Sequence, residues 1–381
     1  MPHENSVMHG LMQLLPWAAF DRLVAERGAD ADARGFSPRS HLVAMLYAQL
    51  SGAHSLREIE AGLTSHAARL YHLGATPAAR STLADANRDR DSGVFLALFQ
   101  QMLRCLARDQ RRKLAETTYL IDSTFMALPA HHARWAVFSA NACGAKLHVI
   151  YDPDEDRPIY AAVSTANVND ITAAKEMPIQ PGATYVFDLG YYDYGWWAGF
   201  EAKKCRIVTR FKCNTPLTFI AEQKLPEGSE LLSDRIGLLP ARLTKNRHNP
   251  MDKPVREIRL HNQSGKLLRI LTNDLEASAQ EIADLYLRRW AIELFFRWIK
   301  QTLRIRHFIG GSENAVRIQI ATALIAFLLL RLAQATQTAV TSPLTFARLV
   351  RSNLMHRRPI QDLLRPPQIP NRQPINQLAL L

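Results

Sequence analysis

The sequence has few of the residues that build disulfide frameworks and zinc sites. Only four cysteines occur among 381 residues, Cys105, Cys143, Cys205 and Cys213, and none of them form a Cys-x-x-Cys pair. This scatter argues against a zinc knuckle and against a disulfide-stapled secreted domain. A reducing cytoplasm is therefore the expected environment.

Long uninterrupted apolar runs are also missing. The most apolar stretch, Ile318 to Leu332, is broken by Gln319 and Thr322 and is shorter than the roughly 20 residues that span a bilayer. The first residues lack the cationic and apolar regions of a secretory signal. We expect this stretch to be a buried core helix, and we expect no membrane partner.

Acidic residues are outnumbered by basic ones. The chain has 35 Asp and Glu against 47 Lys and Arg, which gives a formal charge of +12. Such a balance favours a polyanionic partner, with nucleic acid as the first candidate and acidic proteins or membrane surfaces as alternatives. Because 47% of the residues are hydrophobic, the chain can bury a large core, which excludes disorder as its main state.

The N-terminal part, 1–115, has apolar residues at helical spacing and is predicted to be an all-helical DNA-binding domain. The segment Ser51-Gly52-Ala53-His54-Ser55 joins two of its helices with a glycine turn and a serine cap. This pattern fits a helix-turn-helix that reads DNA, and it fits two packed helices equally well.

A β-branched and apolar pattern starts after this domain and predicts five strands within 116–212. Their order, three strands in a meander and then two that each follow a helix, is typical of a ribonuclease H-like α/β core with a mixed five-stranded sheet. The predicted strands are Thr117–Ile121, Lys146–Tyr151, Ile159–Ser164, Thr184–Phe187 and Arg206–Arg210.

The remainder of the chain divides into three predicted segments. Residues 213–274 are polar and basic with short strand-like runs, which indicates a β-rich insertion. Residues 275–340 supply the second part of the core, including a long helix that begins after Ser278 and ends near Leu303. Residues 341–381 form a basic C-terminal tail with several prolines.

Asp122 and Asp188 each follow an apolar strand, and Glu293 lies on the predicted long helix. In the predicted topology the first and fourth strands are neighbours, so the two aspartates converge at one edge of the sheet, where the helix adds the glutamate. Three crowded carboxylates repel one another unless divalent cations relieve the repulsion. Hard oxygen ligands suit Mg²⁺, with Mn²⁺ as a substitute, and two such ions catalyse in-line phosphoryl transfer.

The long helix carries a polar stripe between apolar flanks. Tyr286, Arg289, Glu293 and Lys300 follow one another at spacings of three, four and seven residues, which places them on one face at about 100° per residue. This face indicates a site cut into the core. The alternative is a surface ladder of ion pairs, in which Arg289 and Glu293 are simply an i,i+4 pair.

These residues resemble a known signature. Tyr286-x2-Arg289-x3-Glu293-x6-Lys300 matches the Y-R-E-K pattern of bacterial insertion-sequence transposases of the DDE class, in the group named after insertion sequence four. Asp122-Ser123-Thr124 resembles the first-aspartate motif of that group, and Asp188-Leu189-Gly190-Tyr191 resembles its D-x-G-Y motif. The resemblance runs from about Phe36 to Leu332.

The resemblance implies a transposase that binds inverted terminal repeats, cleaves DNA with divalent metal and joins the freed ends to target DNA. It implies Asp122, Asp188 and Glu293 as metal ligands and a homodimer on DNA. It also implies that Tyr286, Arg289 and Lys300 hold phosphates. We expect the protein to act in the cytoplasm, at the nucleoid.

Further contacts with double-stranded DNA are expected from other residues. Trp290 fits either an aromatic face for an unstacked base or ordinary core packing. Arg210, Lys212 and Lys146 are expected to position the DNA backbone. His148 is expected to be buried and hydrogen-bonded. Two alternatives remain open: a metal-dependent nuclease without strand transfer, and a domesticated DNA-binding protein without catalysis.

Overall fold

The computed structural model describes residues 5–31, 35–108, 116–129, 134–139, 142–225, 228–241, 248–261, 264–303, 305 and 307–363. Helices occupy its N-terminal part, and a large mixed sheet with further helices follows. The N-terminal α-helices are α1 (Val7–Met12), α2 (Trp17–Glu26), α3 (Pro38–Ser51), α4 (Leu56–Ser65), α5 (Ala67–Leu70), α6 (Arg80–Asp89) and α7 (Gly93–Arg108).

Helix α3 is the central helix of this N-terminal part. Its first turn is fixed by Pro38 and by Ser37, whose hydroxyl accepts a hydrogen bond from the Ser40 N–H. It ends at Gly52, which adopts a left-handed conformation with φ of 77°. Most side chains of α3 are buried, so of the two helices joined by Ser51–Ser55 only α4 presents a long polar face outward.

The strands in the described residues form one ten-stranded mixed sheet. Its order is β2-β3-β1-β5-β6-β10-β9-β8-β7, and β4 pairs with β3. The strands are β1 (Thr118–Leu128), β2 (Val137–Ser139), β3 (Ala142–Asp152), β4 (Arg157–Thr165), β5 (Thr184–Phe187), β6 (Arg206–Arg210), β7 (Thr218–Glu222), β8 (Leu231–Leu238), β9 (Val255–His261) and β10 (Leu267–Thr272).

The sheet contains more strands than the five predicted from the sequence. Strand β10 pairs antiparallel with β6, and therefore the β-rich segment 213–274 continues the same sheet. Strands β7 and β8 were not predicted. Between β4 and β6 the chain forms α8 (Asp170–Ala174) and α9 (Tyr194–Ala202), and α9 packs its aromatic residues against one face of the sheet.

The predicted long helix is two helices, α10 (Ala279–Arg288) and α11 (Trp290–Thr302). They meet at Arg289, where the bonding tightens to three-residue steps: the Arg289 N–H donates to Tyr286, and the Ile292 N–H donates to Arg289. The serine cap predicted at Ser278 is confirmed, because its hydroxyl accepts from the Glu281 N–H.

Helix α12 (Glu313–Ala335) is the longest described helix and joins the N-terminal and C-terminal halves. By length and composition it could cross a membrane, but 83% of its most apolar window is buried inside the protein. It packs against α3, α6 and α7 and belongs to the same core as the β1–β3 side chains. The expectation of a buried core helix is confirmed.

The segment predicted as a tail begins with folded structure. Helix α13 (Pro343–Asn353) buries Phe346, Ala347 and Val350. The chain then returns to α1, where the N–H groups of Val7 and Met8 donate to carbonyls of His356 and Leu354. This docking could not be predicted from the local pattern of prolines and arginines, because the docking depends on contacts with the other end of the chain. Residues 364–381 of the predicted tail lie outside the described residues.

Candidate active site

Three neighbouring strands bring charged residues to one edge of the sheet. Strands β1, β5 and β6 are parallel, with Ile121 opposite Phe187 and Phe187 opposite Thr209. The next residue on each strand is Asp122, Asp188 and Arg210 respectively. The predicted adjacency of the first strand and the strand before Asp188 is therefore confirmed.

The sequence pattern had predicted that the first strand ends just before Asp122, but Asp122 lies within β1. Strand β1 continues to Leu128 by pairing with β3, in which Asp122 faces Val149. Strand β5 ends at Phe187, so beyond Ile121 one side of β1 loses its partner. This opening exposes Asp122 partly, with 16% of its side chain accessible.

Arg289 links Asp122 to Glu293. One guanidinium nitrogen lies 3.1 Å from Asp122 Oδ2, and the other lies 2.6 Å from Glu293 Oε1. Glu293 stands in the first turn of α11, directly after the break at Arg289. The i,i+4 pair of Arg289 with Glu293 that the alternative interpretation expected is present, but it is more than a surface ladder, because Arg289 also bridges to the sheet and only 16% of its side chain is exposed.

Burial and a neighbouring carboxylate together shift the electrostatics of the site. The pKa of Asp122 is raised from 3.8 to about 7, chiefly by burial and then by Asp188, while the Ser123 N–H and Arg289 oppose the rise. Asp188 is held by the Gly190 N–H at 2.8 Å. Burial also raises the pKa of the Tyr286 hydroxyl, while the nearby Arg289 and Arg210 cations lower it. Arg289 is thus a cation placed among acidic groups.

The three carboxylates fit a divalent cation by the chemistry of their donors. All are hard oxygen donors, and the bridging guanidinium shows that positive charge is stabilised between Asp122 and Glu293. Across the described part of the chain, no group of three or more His, Cys, Asp or Glu is arranged closely enough to hold a metal ion. Binding of an ion between Asp122 and Glu293 therefore requires Arg289 to give way.

The other residues expected at this site lie around it. Trp290 is half exposed, which argues against core packing, and the Arg297 guanidinium lies 5.9 Å from its ring centroid. Lys300 lies in the last turn of α11. The Lys212 ammonium lies 4.2 Å from the centre of the Tyr192 ring, and Arg210 is exposed at the end of β6.

Lys146 is engaged within the protein. Its ammonium donates to Asp170 Oδ1 at 3.1 Å and to the Val168 carbonyl at 3.0 Å. The DNA contact expected of Lys146 stays a prediction. On the same strand His148 is fully buried, and its Nε2 lies 2.8 Å from Ser164 Oγ. The buried, hydrogen-bonded role predicted for His148 is confirmed.

Sequence reasoning missed Asp170 as a residue of this site. Asp170 is the first residue of α8, and an acidic residue in a first helical turn is ordinary enough to carry no functional signal. In the structure it accepts a hydrogen bond from Ser123 Oγ at 2.7 Å, next to Asp122. Only the packing of α8 against β3 reveals this position.

Comparison with known proteins gives the family. Residues 113–329 match the model of the transposase DDE domain, and residues 3–76 match a domain of unknown function, DUF4372. The relative y4zB of Sinorhizobium fredii, which is named as a transposase, is 39% identical over 292 residues, covering 75% of this chain and 80% of the relative. A Geobacillus stearothermophilus protein, named as a transposase for insertion sequence element IS5377, is 29% identical over 71% of this chain and 72% of its own length.

Among solved structures, a piggyBac transposase synaptic complex with hairpin DNA matches 94% of this chain and 80% of its own, with 10% identity and a TM-score of 0.46. The family assignment rests on the sequence matches. The domain match covers more than half of the chain, and its span contains both aspartates and the glutamate of the site. This chain belongs to the DDE transposases of bacterial insertion sequences, enzymes that act on DNA.

Proposed function

We propose that this chain is a cut-and-paste transposase of the group named after insertion sequence four. It binds the inverted terminal repeats of its element, cleaves the DNA in a metal-dependent step and transfers the freed 3′ ends to target DNA. One observation carries the proposal: Asp122 and Asp188 follow paired positions of two adjacent parallel strands, and Arg289 ties Glu293 to the same point.

The proposed catalytic core has the ribonuclease H-like arrangement. The strand order β4-β3-β1-β5-β6 supports it, since β1, β3 and β4 form an antiparallel meander while β5 and β6 run parallel to β1. We keep the domain limits 1–115, 116–212, 213–274, 275–340 and 341–381 as proposed functional divisions. Side chains from all five segments contribute to one hydrophobic cluster, and a second cluster draws on residues between Tyr119 and Leu271.

In the proposed reaction, Asp122, Asp188 and Glu293 hold Mg²⁺, or Mn²⁺ as a substitute. When bound, the metal supplies activation of the attacking oxygen and stabilisation of the leaving oxygen in phosphoryl transfer. Arg289 leaves the two carboxylates and grips a DNA phosphate with two donors, a geometry suited to guanidinium. Tyr286 and Lys300 hold neighbouring phosphates.

The DNA path continues from this point along the exposed edge of the sheet. The half-exposed ring of Trp290 supports the proposal that it stacks on an unpaired base at the cut. Arg210, Lys212 and Lys146 contact the backbone without reading sequence. We further propose that a homodimer pairs two ends and that the protein acts at the nucleoid in the cytoplasm.

The test uses the full chain with DNA that carries the ends of the element. We expect Asp122→Asn, Asp188→Asn and Glu293→Gln to bind the ends as the unaltered chain does, and to lose Mg²⁺-dependent cleavage. The matched control is Asp284→Asn, because Asp284 is an exposed carboxylate on α10 that lies outside the site. Unchanged cleavage in Asp188→Asn would overturn the proposed site.

A second assay separates the proposed activity from its alternatives. Pre-cut ends and a supercoiled target are incubated with the unaltered chain and Mg²⁺, and joined products are scored. A nuclease without strand transfer yields nicks and no joined strands. A DNA-binding descendant without catalysis retains the ends and yields neither product.

A further inference from the structure

Asp170 is a fourth carboxylate at the proposed catalytic centre. Its Oδ1 accepts hydrogen bonds from Ser123 Oγ at 2.7 Å and from Lys146 Nζ at 3.1 Å. Its Oδ2 lies on the Asp188 side: a methyl group built on Gly190 would stand 3.6 Å from Asp170 Oδ2 and 3.1 Å from Asp188 Oδ1. Asp170 therefore lies close to the residues that neighbour both Asp122 and Asp188.

Ser123 connects Asp170 to Asp122. Its backbone N–H donates to Asp122 Oδ1 at 2.8 Å, while its hydroxyl donates to Asp170. Ser123 thus contacts both carboxylates, Asp122 through its backbone and Asp170 through its side chain. Hydrogen bonds to the groups that orient metal-binding carboxylates commonly tune both the geometry and the affinity of a site.

The Tyr191 hydroxyl is a buried polar group close to the same carboxylates. It is buried and has no hydrogen-bond partner of normal geometry, although Ser123 lies beside it. Burial raises the pKa of Tyr191, and the charges of Asp122, Asp170 and Asp188 all raise it further. A buried hydroxyl without a hydrogen-bond partner costs free energy. Such a cost is expected at a site whose side chains rearrange when a cation binds.

We propose that Asp170 is a positioning residue for metal binding: through Ser123 it orients Asp122, and its negative charge adds to the attraction of the site for a divalent cation. This inference rests on the proposed function. It assigns to Lys146 the role of holding Asp170 in place, in addition to any contact with DNA.

The test measures Mn²⁺ binding to the full chain without DNA, by electron paramagnetic resonance. We expect Asp170→Asn to weaken Mn²⁺ binding about 10-fold or more. The matched control is Asp193→Asn. Asp193 also begins a helix and pairs with a lysine, Lys175, at 2.8 Å, and its side chain is 29% exposed against 28% for Asp170. We expect the control to bind Mn²⁺ as the unaltered chain does.

A second variant separates positioning from folding. Ser123→Ala keeps every charge and removes the hydroxyl that donates to the Asp170 carboxylate, and we expect it to weaken Mn²⁺ binding roughly fivefold. Thermal unfolding of each variant reports the folded fraction, and a purely structural role would lower that fraction while the folded molecules bind Mn²⁺ normally.

The outcomes distinguish this inference from the proposed function. If Asp122→Asn loses Mn²⁺ binding while Asp170→Asn and Ser123→Ala match Asp193→Asn, the positioning role is overturned and the catalytic site stands. If Asp122→Asn also binds Mn²⁺ normally, the proposed function itself fails.

Discussion

At the scale of single residues, Arg289 is the cation that separates two proposed metal ligands. It bridges Asp122 and Glu293. A divalent ion bound by these carboxylates would displace the Arg289 guanidinium, and a DNA phosphate would attract it, so both favour its movement away from Asp122 and Glu293. We predict that Arg289→Ala binds Mn²⁺ more tightly than the unaltered chain in the absence of DNA, since no guanidinium competes for the carboxylates. The same variant should bind element ends about 10- to 100-fold more weakly, because a charge-assisted contact is lost.

The comparison for this prediction is Arg288→Ala on the preceding position, whose partner is Asp154 in the β3–β4 turn. Binding of Mn²⁺ is measured by electron paramagnetic resonance and binding of DNA by fluorescence anisotropy. Equal Mn²⁺ affinity in the two variants would show that Arg289 does not compete with the ion.

Asp122 gives a pH-dependent prediction at the same scale. The pKa of its carboxyl is raised from 3.8 to about 7, chiefly by burial and then by Asp188, so below this pH the metal-free site keeps a proton that an ion must displace. Mn²⁺ affinity should therefore rise with pH, by up to about tenfold per unit below pH 7, and level off above it. Calorimetry in buffers of different ionisation enthalpy should detect proton release near pH 6, and affinity that is flat from about pH 6 to 8 would contradict the prediction.

At the scale of elements, the added strands are held by a buried ion pair between β8 and β9. Arg256 donates to both oxygens of Asp234 at 2.7 and 2.6 Å, and both side chains are almost completely buried. We predict that Asp234→Ala lowers the free energy of unfolding by about 3–5 kcal/mol, because it leaves a buried guanidinium without its partner. Chemical denaturation monitored by circular dichroism measures the change.

A neighbouring ion pair between the same group of strands serves as the control. Arg235 on β8 contacts Glu222 on β7 at 3.2 Å, with 39% and 50% of the two side chains exposed. Glu222→Ala should change the free energy of unfolding by only about 0–1 kcal/mol, since water screens exposed pairs. Similar losses in both variants would show that the Arg256–Asp234 pair has no special weight.

At the scale of the whole molecule, the two ends of the chain stabilise the same core. Helix α13 contacts α3, α11 and α12, and the segment after it pairs with the start of α1. We predict that a chain ending at residue 340 unfolds at a lower temperature and loses DNA cleavage, because it exposes the apolar surface that α13 covers. A chain ending at residue 363 keeps all the contacts described and should melt as the full chain does. Differential scanning calorimetry compares the three chains, and equal melting temperatures would show that α13 is dispensable.

Some features of this protein follow from local sequence. Strands β5 and β6 occupy the predicted residues because β-branched and apolar side chains favour a buried extended backbone wherever they are placed. The cap at Ser278 is likewise local, since its hydroxyl satisfies an N–H three residues away. The acidic and basic residues of the Y-R-E-K pattern, and membership of the DDE transposases, could also be identified without any coordinates.

Other features depend on partners far away in the chain. The sequence did not indicate that β10 pairs with β6, that the helix breaks at Arg289, or that Asp170 reaches Ser123, 47 residues earlier. Each depends on which surfaces meet after folding, and the same residues would be ordinary strand, helix and cap residues in another context. Local chemistry thus determined the kinds of groups available for catalysis, whereas the pairing of distant strands and helices decided which of these groups lie near one another, because the interaction between charges depends on their distance in space.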